Sequence, residues 1–190
     1  MAGGTRERIM DVALKLFVER GSAATAVTAI EAAAGLSPGS GSFYRHFKDK
    51  AELLTAVVDR ELQRVKKNPA AQVANSDAPT TKALAGQLLA DLDFLRDLRP
   101  LIMILFWEHG SAPRLAEHIQ LVMNDRGIEL GIADLLLTTT SGPVRDDPAA
   151  AAAGMMSAMV GYFLSIEYFG APPAGVDPER FTAMLATLLT

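Results

Sequence analysis

The chain has no cysteine, only three histidines and a single tryptophan, and no uninterrupted apolar run of the roughly 20 residues that a bilayer-spanning helix needs. Without thiols there is no disulfide, no thiolate metal ligand and no cysteine nucleophile. His46, His109 and His118 have no Gly-x-Ser-x-Gly elbow and no nucleotide-binding glycine loop around them. The pairs Glu108-His109 and Glu117-His118 stand in separate predicted helices across a proline break, which is not a metal-ligand spacing. No catalytic residue, metal or cofactor is therefore expected. The opening residues MAGGTRERIM lack the apolar stretch of a signal peptide, so a cytoplasmic protein with no membrane contact is expected.

Positive charge is also scarce, since the formal net charge is −4, but the average hides a division. Residues 1–67 hold eleven Lys and Arg against eight Asp and Glu, whereas the rest holds seven against fourteen. The basic end is where an anionic partner would bind. An excess of three is small for a polyanion, so two copies acting together on a two-fold related site are expected. The 49% of hydrophobic residues, spread over 190 positions, is ample for a globular core.

The most informative stretch is Thr25–Leu54, TAVTAIEAAAGLSPGSGSFYRHFKDKAELL. Ile30, Ala33 and Ala34 give a short helix its apolar face, with Thr25 or Thr28 as the cap and Thr28-x-x-Glu31 as a capping box. Gly35 supplies the left-handed position that stops it, Leu36 turns inward, and SPGS forces a break. A second helix carrying Phe43, Tyr44, His46 and Phe47 is predicted to follow, which makes a helix-turn-helix. Phe43 and Phe47 are assigned to the core of a small three-helix unit. Ser40, Gly41 and Ser42 are small enough to let backbone approach a groove floor, and their hydroxyls suit base edges or phosphates. Tyr44, Arg45, His46, Lys48 and Lys50 put phenol, imidazole and cationic groups within roughly two turns, a composition suited to phosphate oxygens. Asp49 and Glu52 have the spacing of the next capping pair, which places Lys50 at a helix N-terminus.

Thr25, Val27, Ile30, Ala33, Ala34, Gly35, Leu36, Ser37, Gly41, Tyr44, His46, Phe47, Lys50, Leu53 and Leu54 meet the pattern of the DNA-binding domain of the TetR family of transcriptional regulators, which the segment resembles. The turn is about two residues longer than the common family pattern, with Pro38 and Gly39 standing as an insertion before Ser40. The resemblance implies phosphate contacts from Tyr44, His46 and Lys50. With Thr28, Ser40, Gly41, Ser42 and Arg45, these form the expected DNA-binding set.

The remainder reads as helices throughout. Residues 5–20 carry Ile9, Ala13, Leu16 and Phe17 at helical spacing, and Gly21 stops them. A connecting helix runs from Asp49 to about Lys67, and the Pro-, Ala- and Asn-rich stretch to Thr81 reads as a loop. Helices are predicted over about 80–97, from Pro100 through LIMILFWEH, over 114–139 with Gly127 and Gly131 weakening its continuity, over 148–169, and from Pro178 to Leu189. The fold expected is all-α, with a helix-turn-helix domain at 1–49, a connecting helix at 50–67 and a helical-bundle effector-binding and dimerisation domain at 68–190.

The 148–169 helix is faced with small residues and the last helix with apolar ones, more surface than one bundle hides. A four-helix interface between two copies is expected, through Ala153, Ser157, Val160, Phe181, Leu185 and Leu188, and the resemblance favours the same pairing. The resemblance also implies an effector cavity. Apolar and thioether side chains of the middle helices are its candidate lining, namely Phe94, Met103, Phe106, Trp107, His109, Met123, Met155, Met159 and Phe163. The function expected is a ligand-responsive repressor that binds a palindromic double-stranded DNA operator as a homodimer and is released by a small apolar or amphipathic effector. The alternative is a TetR-like helical protein that carries a lipid or other apolar molecule without recognising DNA.

Overall fold

The computed structural model describes residues 4–67, 80–110, 112–139 and 142–190. The described residues form helices and turns with no strand: α1 (Thr5–Arg20), α2 (Val27–Ala33), a single 3-10 turn at Phe43–Arg45, α3 (Lys50–Lys66), α4 (Thr81–Glu108), α5 (Pro113–Thr138), a short α6 (Pro143–Asp146), α7 (Pro148–Phe169), a second 3-10 turn at Pro173–Gly175, and α8 (Pro178–Leu189). The loop expected after Lys67 lies largely outside the described residues. Contacts divide the chain into two compact units, residues 1–66 with 99–122 and residues 67–98 with 123–190. The division differs from the expected boundary in one respect: the second half of α4 and the start of α5 belong with the N-terminal helices.

In the first unit, Ile9, Ala13 and Phe17 of α1, Ile30 of α2, Phe43 and Phe47, and Leu53, Val57 and Val58 of α3 are almost fully buried. Arg60 of α3 holds α1 from outside, at 3.2 Å from Glu7 and 2.8 Å from Asp11. Asp49 and Glu52 form the expected capping pair of α3, with the Glu52 N–H donating to Asp49 Oδ1 at 2.8 Å and the Lys48 N–H to Glu52 Oε2 at 2.6 Å. Two local expectations fail. Neither Thr25 nor Thr28 caps α2, whose N-cap is Ala26 without a side-chain bond. Thr25 is buried, and its hydroxyl donates to the carbonyl of Gly21 at 2.7 Å, closing the corner after α1. The predicted second helix is only the 3-10 turn Phe43–Arg45, because the glycine-rich segment before it supplies left-handed positions in place of helical ones.

Pro100 does not start a helix but sits inside α4. An interior proline removes one backbone hydrogen bond at a cost of about 3 kcal/mol. Burial of Leu98, Leu101, Ile102 and Ile104 around it offsets that cost. The division between the units falls at Leu98–Arg99, beside this proline, so α4 passes from one unit into the other where its ladder is interrupted.

The core of the second unit gathers Leu84, Leu88 and Leu92 of α4, Leu135 of α5, Ala152, Met155, Met159 and Tyr162 of α7 and Ala186 of α8. α5 runs unbroken through both glycines. Gly131 has a packing reason, since a β-carbon there would lie 3.0 Å from the Met155 Cε and 3.5 Å from the Ala152 Cβ of α7. α7 and α8 start on aspartates that accept N–H bonds, Asp147 from Ala150 at 3.0 Å and Asp177 from Arg180 at 2.8 Å, each with proline next in line. Left-handed Gly170 ends α7.

Asp91 of α4 is half-buried in this unit, and its carboxyl is pushed up from the ordinary 3.8 to about 6. Burial is the main cause, the Gln87 amide donated at 2.9 Å works against it, and the charge of Asp134 adds to it. The folded state binds this proton more tightly than the unfolded chain. Its stabilising effect is therefore fully present below about pH 4 and lost as pH rises through about 6, a cost that approaches 3 kcal/mol at neutral pH. Asp91→Asn is expected to raise the unfolding midpoint at pH 7.5 and to leave it close to that of the unsubstituted chain at pH 4. An equal difference at both pH values would contradict the assignment.

Candidate nucleic-acid interface

The segment Gly35–Asp49 is supported from beneath. Phe43 and Phe47 are buried with ring centroids 5.8 Å apart, and Arg6 of α1 lies over the Phe47 ring at 4.8 Å. On this base Tyr44 turns its ring out to 61% exposure, edge-on to Phe43 at 5.2 Å. Arg45 and Lys48 beside it are exposed, and His46 is half-buried. Ser40 is exposed and Gly41 and Ser42 are half-buried; the two serine hydroxyls bond each other at 2.8 Å. Thr28 is exposed on α2. The phenol, the guanidinium and the two hydroxyls thus stand on one short surface segment whose aromatic undersides are locked in the core. Such a segment can meet phosphates and base edges without first paying to order itself.

Lys50 is placed differently from the other cations. Its ammonium donates to the carbonyls of Ser22 at 2.5 Å and Thr25 at 2.9 Å, pinning α3 to the corner between α1 and α2. One N–H of the ammonium and the backbone amide at the start of α3 are what it offers an anion.

The same corner is held from the other side by the end of α4. The Trp107 indole N–H donates to the carbonyl of Val18 at 3.1 Å, and Glu108, almost wholly buried, accepts the N–H of Ser22 at 2.9 Å. A β-carbon on Gly21 would come within 3.2 Å of the indole. Trp107, one of the candidates for effector contact, seats the end of α4 on the corner after α1. Sequence reasoning passed over Ser22 altogether, because a main-chain donor leaves no mark in the residue pattern.

The remaining candidates for effector contact are shared between the units. Met103, Phe106, Trp107 and His109 lie in the first and Phe94, Met155, Met159 and Phe163 in the second, while the side chain of Met123 lies outside the described residues. Met155 and Met159 are packed within the core of the second unit, as most such stripes are. On α7, Ala153 and Ser157 are exposed and Val160 is half-buried. On α8, Phe181 and Leu185 pack partly against the core, Phe181 stacking on Tyr162 at 4.1 Å, whereas Leu188 is 76% exposed.

Residues 9–57 match the family model of bacterial regulatory proteins, tetR family. Over those residues the chain resembles the N-terminal domain of that family. Over 53 residues it is 43% identical to the HTH-type transcriptional regulator AcrR of Shigella flexneri, an alignment covering 28% of this chain and 24% of that protein. Over 149 residues it is 28% identical to the HTH-type transcriptional regulator YerO of Bacillus subtilis, covering 68% of this chain and 50% of that protein. These alignments span half or less of the curated relatives. The TetR likeness extends to the whole fold: a TetR-like transcriptional regulator from Rhodococcus sp. RHA1 superposes with a TM-score of 0.70 at 22% identity, over 100% of this chain and 96% of that one. The all-α TetR architecture expected from the sequence is thereby shown, while the second unit resembles its neighbours in fold alone.

Proposed function

We propose that the chain is a DNA-binding transcriptional regulator that acts as a homodimer on a palindromic operator, most simply as a repressor released by a small apolar or amphipathic effector. One observation carries the reading: Tyr44, Arg45 and the Ser40–Ser42 turn are presented outward on a buried aromatic base within a TetR-type domain. No reaction is required of such a protein, and it works where DNA is, in the cytoplasm.

Pairing through α7 and α8 is supported by what those helices leave uncovered. Among the described helices α7 alone is long and apolar enough to cross a bilayer by length and composition, and little of it is buried. Its exposed face carries Ala153, Gly154, Ser157 and Gly161, residues small enough for close helix approach, and α8 adds Met184 and Leu188. A second copy is preferred to lipid as the cover of such a face, since the same chain carries a regulator-type N-terminal domain at residues 9–57. Two copies also double the modest positive charge and set two reading segments at a fixed distance.

Control then needs only a change of that distance. Successive major grooves on one side of a duplex lie roughly 34–36 Å apart. An effector that binds the mis-spaced dimer about a hundredfold better shifts the equilibrium by roughly 2.7 kcal/mol per site, enough to empty an operator. α4 is a single helix shared by both units, and its end holds the Ser22 corner through Glu108, so it is the proposed route from effector to reader. Selection of bound sequences from random duplex DNA tests the reading: enrichment of inverted half-sites supports it, and recovery of no preferred sequence rejects it.

A further inference from the structure

The reading turn has little structure of its own. Gly35, Gly39 and Gly41 all adopt left-handed φ, at 71°, 76° and 73°, and within the turn the Ser40 N–H reaches the Ser37 carbonyl at 3.2 Å. Glycine-rich backbone of this kind has many conformations to lose. What holds it is a residue outside it. Glu31, on the last turn of α2, is 1% exposed and spans the whole segment with three acceptors. Its carbonyl takes the Leu36 N–H at 2.8 Å, its Oε2 the Gly39 N–H at 2.7 Å and its Oε1 the Phe43 N–H at 3.1 Å. The two carboxylate bonds bracket Ser40, Gly41 and Ser42 on either side. The spacing with Thr28 suggested a capping box, but the carboxylate points forward into the turn and not back to the helix start.

We infer that Glu31 is the positioning residue for sequence readout: by gripping the amides of Gly39 and Phe43 it fixes where Ser40–Ser42 stand relative to a base edge. The inference rests on the DNA-binding reading above. A carboxylate set this near a polyanion is electrostatically unfavourable for binding, so its contribution must come through geometry. Charge-assisted bonds from two main-chain N–H groups are the stronger kind, and they neutralise the buried charge locally. The extra length introduced at Pro38 and Gly39 is then tethered, since the Gly39 amide is one of the two groups held.

The role separates from simple stability by its readout. Using the full chain, affinity is measured for a duplex selected from random DNA by the unsubstituted protein and for a scrambled duplex, each across a salt series. Glu31→Gln keeps the shape but removes the charge and one acceptor, and Glu31→Ala removes both. Both variants are expected to lose about tenfold in the ratio of selected to scrambled affinity, the size of one good base contact, with the salt slope unchanged. Amide exchange at Gly39 and Phe43 is expected to be slow in the unsubstituted chain and faster in Glu31→Gln, a readout that stands even where Glu31→Ala fails to fold. An unchanged affinity ratio in folded Glu31→Gln would overturn the inference, as would equal losses on both duplexes in proportion to the unfolded fraction. If the unsubstituted chain prefers no sequence, the DNA-binding reading itself fails, and the positioning role falls with it.

Discussion

Phe43→Ala is expected to cost about 3–5 kcal/mol and to abolish duplex binding, whereas Tyr44→Phe, one residue on, is expected to melt like the unsubstituted chain and still bind more weakly. The contrast follows from which way the two rings face. Phe43 is fully buried, touches Phe47 and supports Tyr44 from below, so its loss opens a cavity in a core that has few large side chains to spare. Against a typical total of about 5–15 kcal/mol, that loss leaves the first unit marginal. Tyr44 is 61% exposed, and removing its hydroxyl deletes the phosphate contact proposed for it. The affinity loss, about five- to tenfold, should be the same on every sequence. Arg45→Ala should in addition flatten the plot of log affinity against log salt by about one unit. Thermal melting and anisotropy titrations across a salt series check all three variants. A Tyr44→Phe and Arg45→Ala pair that binds like the unsubstituted chain would remove these residues from the interface.

The second large effect is expected at the end of α4. Glu108→Ala leaves the part-buried Ser22 N–H without this acceptor, at a cost of about 1 kcal/mol. Its consequence is not confined to stability. Ser22 is also where Lys50 attaches α3, so loosening that corner loosens the start of the helix that follows the reading segment. Trp107, the only tryptophan in the chain, sits against Gly21 and reports the contact directly through its emission. Glu108→Ala is expected to lower the unfolding midpoint and to move the emission of the indole, already 49% exposed, further to longer wavelength as its contact with the corner loosens. Trp107→Phe, which removes the bond to Val18 but keeps an aromatic ring, should cost only about 1 kcal/mol. Unshifted emission in a folded Glu108→Ala chain would show that the contact does not hold the corner.

What could be read from the sequence was what neighbouring residues settle among themselves. The Asp49 and Glu52 pair before α3, the prolines that open α7 and α8, and Gly35 act within one turn of where they stand, and the structure finds each of them in that role. Phe43 and Phe47 were legible as core because a unit of this size has few other ways to close. What could not be read depends on distant partners. The Glu31 carboxylate reaches donors eight and twelve residues on, and Glu108 reaches one 86 residues away. Local spacing assigned the first to a capping box and noted the second as the neighbour of His109. Pro100 misled for the same reason: proline's local penalty is real, but burial of Leu101, Ile102 and Ile104 outweighs it and keeps α4 continuous. The effector-contact set was the least legible, because a methionine stripe at helical spacing has the same pattern whether it lines a cavity or, as with Met155 and Met159, fills a core.

The central claim is that two copies of this chain read one duplex, each through the segment from Ser40 to Lys50. Enriching random duplex DNA on the purified protein at near-physiological salt, then measuring how many chains sit on the winning sequence, tests it most directly. The account predicts an inverted repeat with half-sites about one helical turn or a multiple apart, bound by an even number of chains. Enrichment of nothing, or of a single unrepeated site held by one chain, would contradict it.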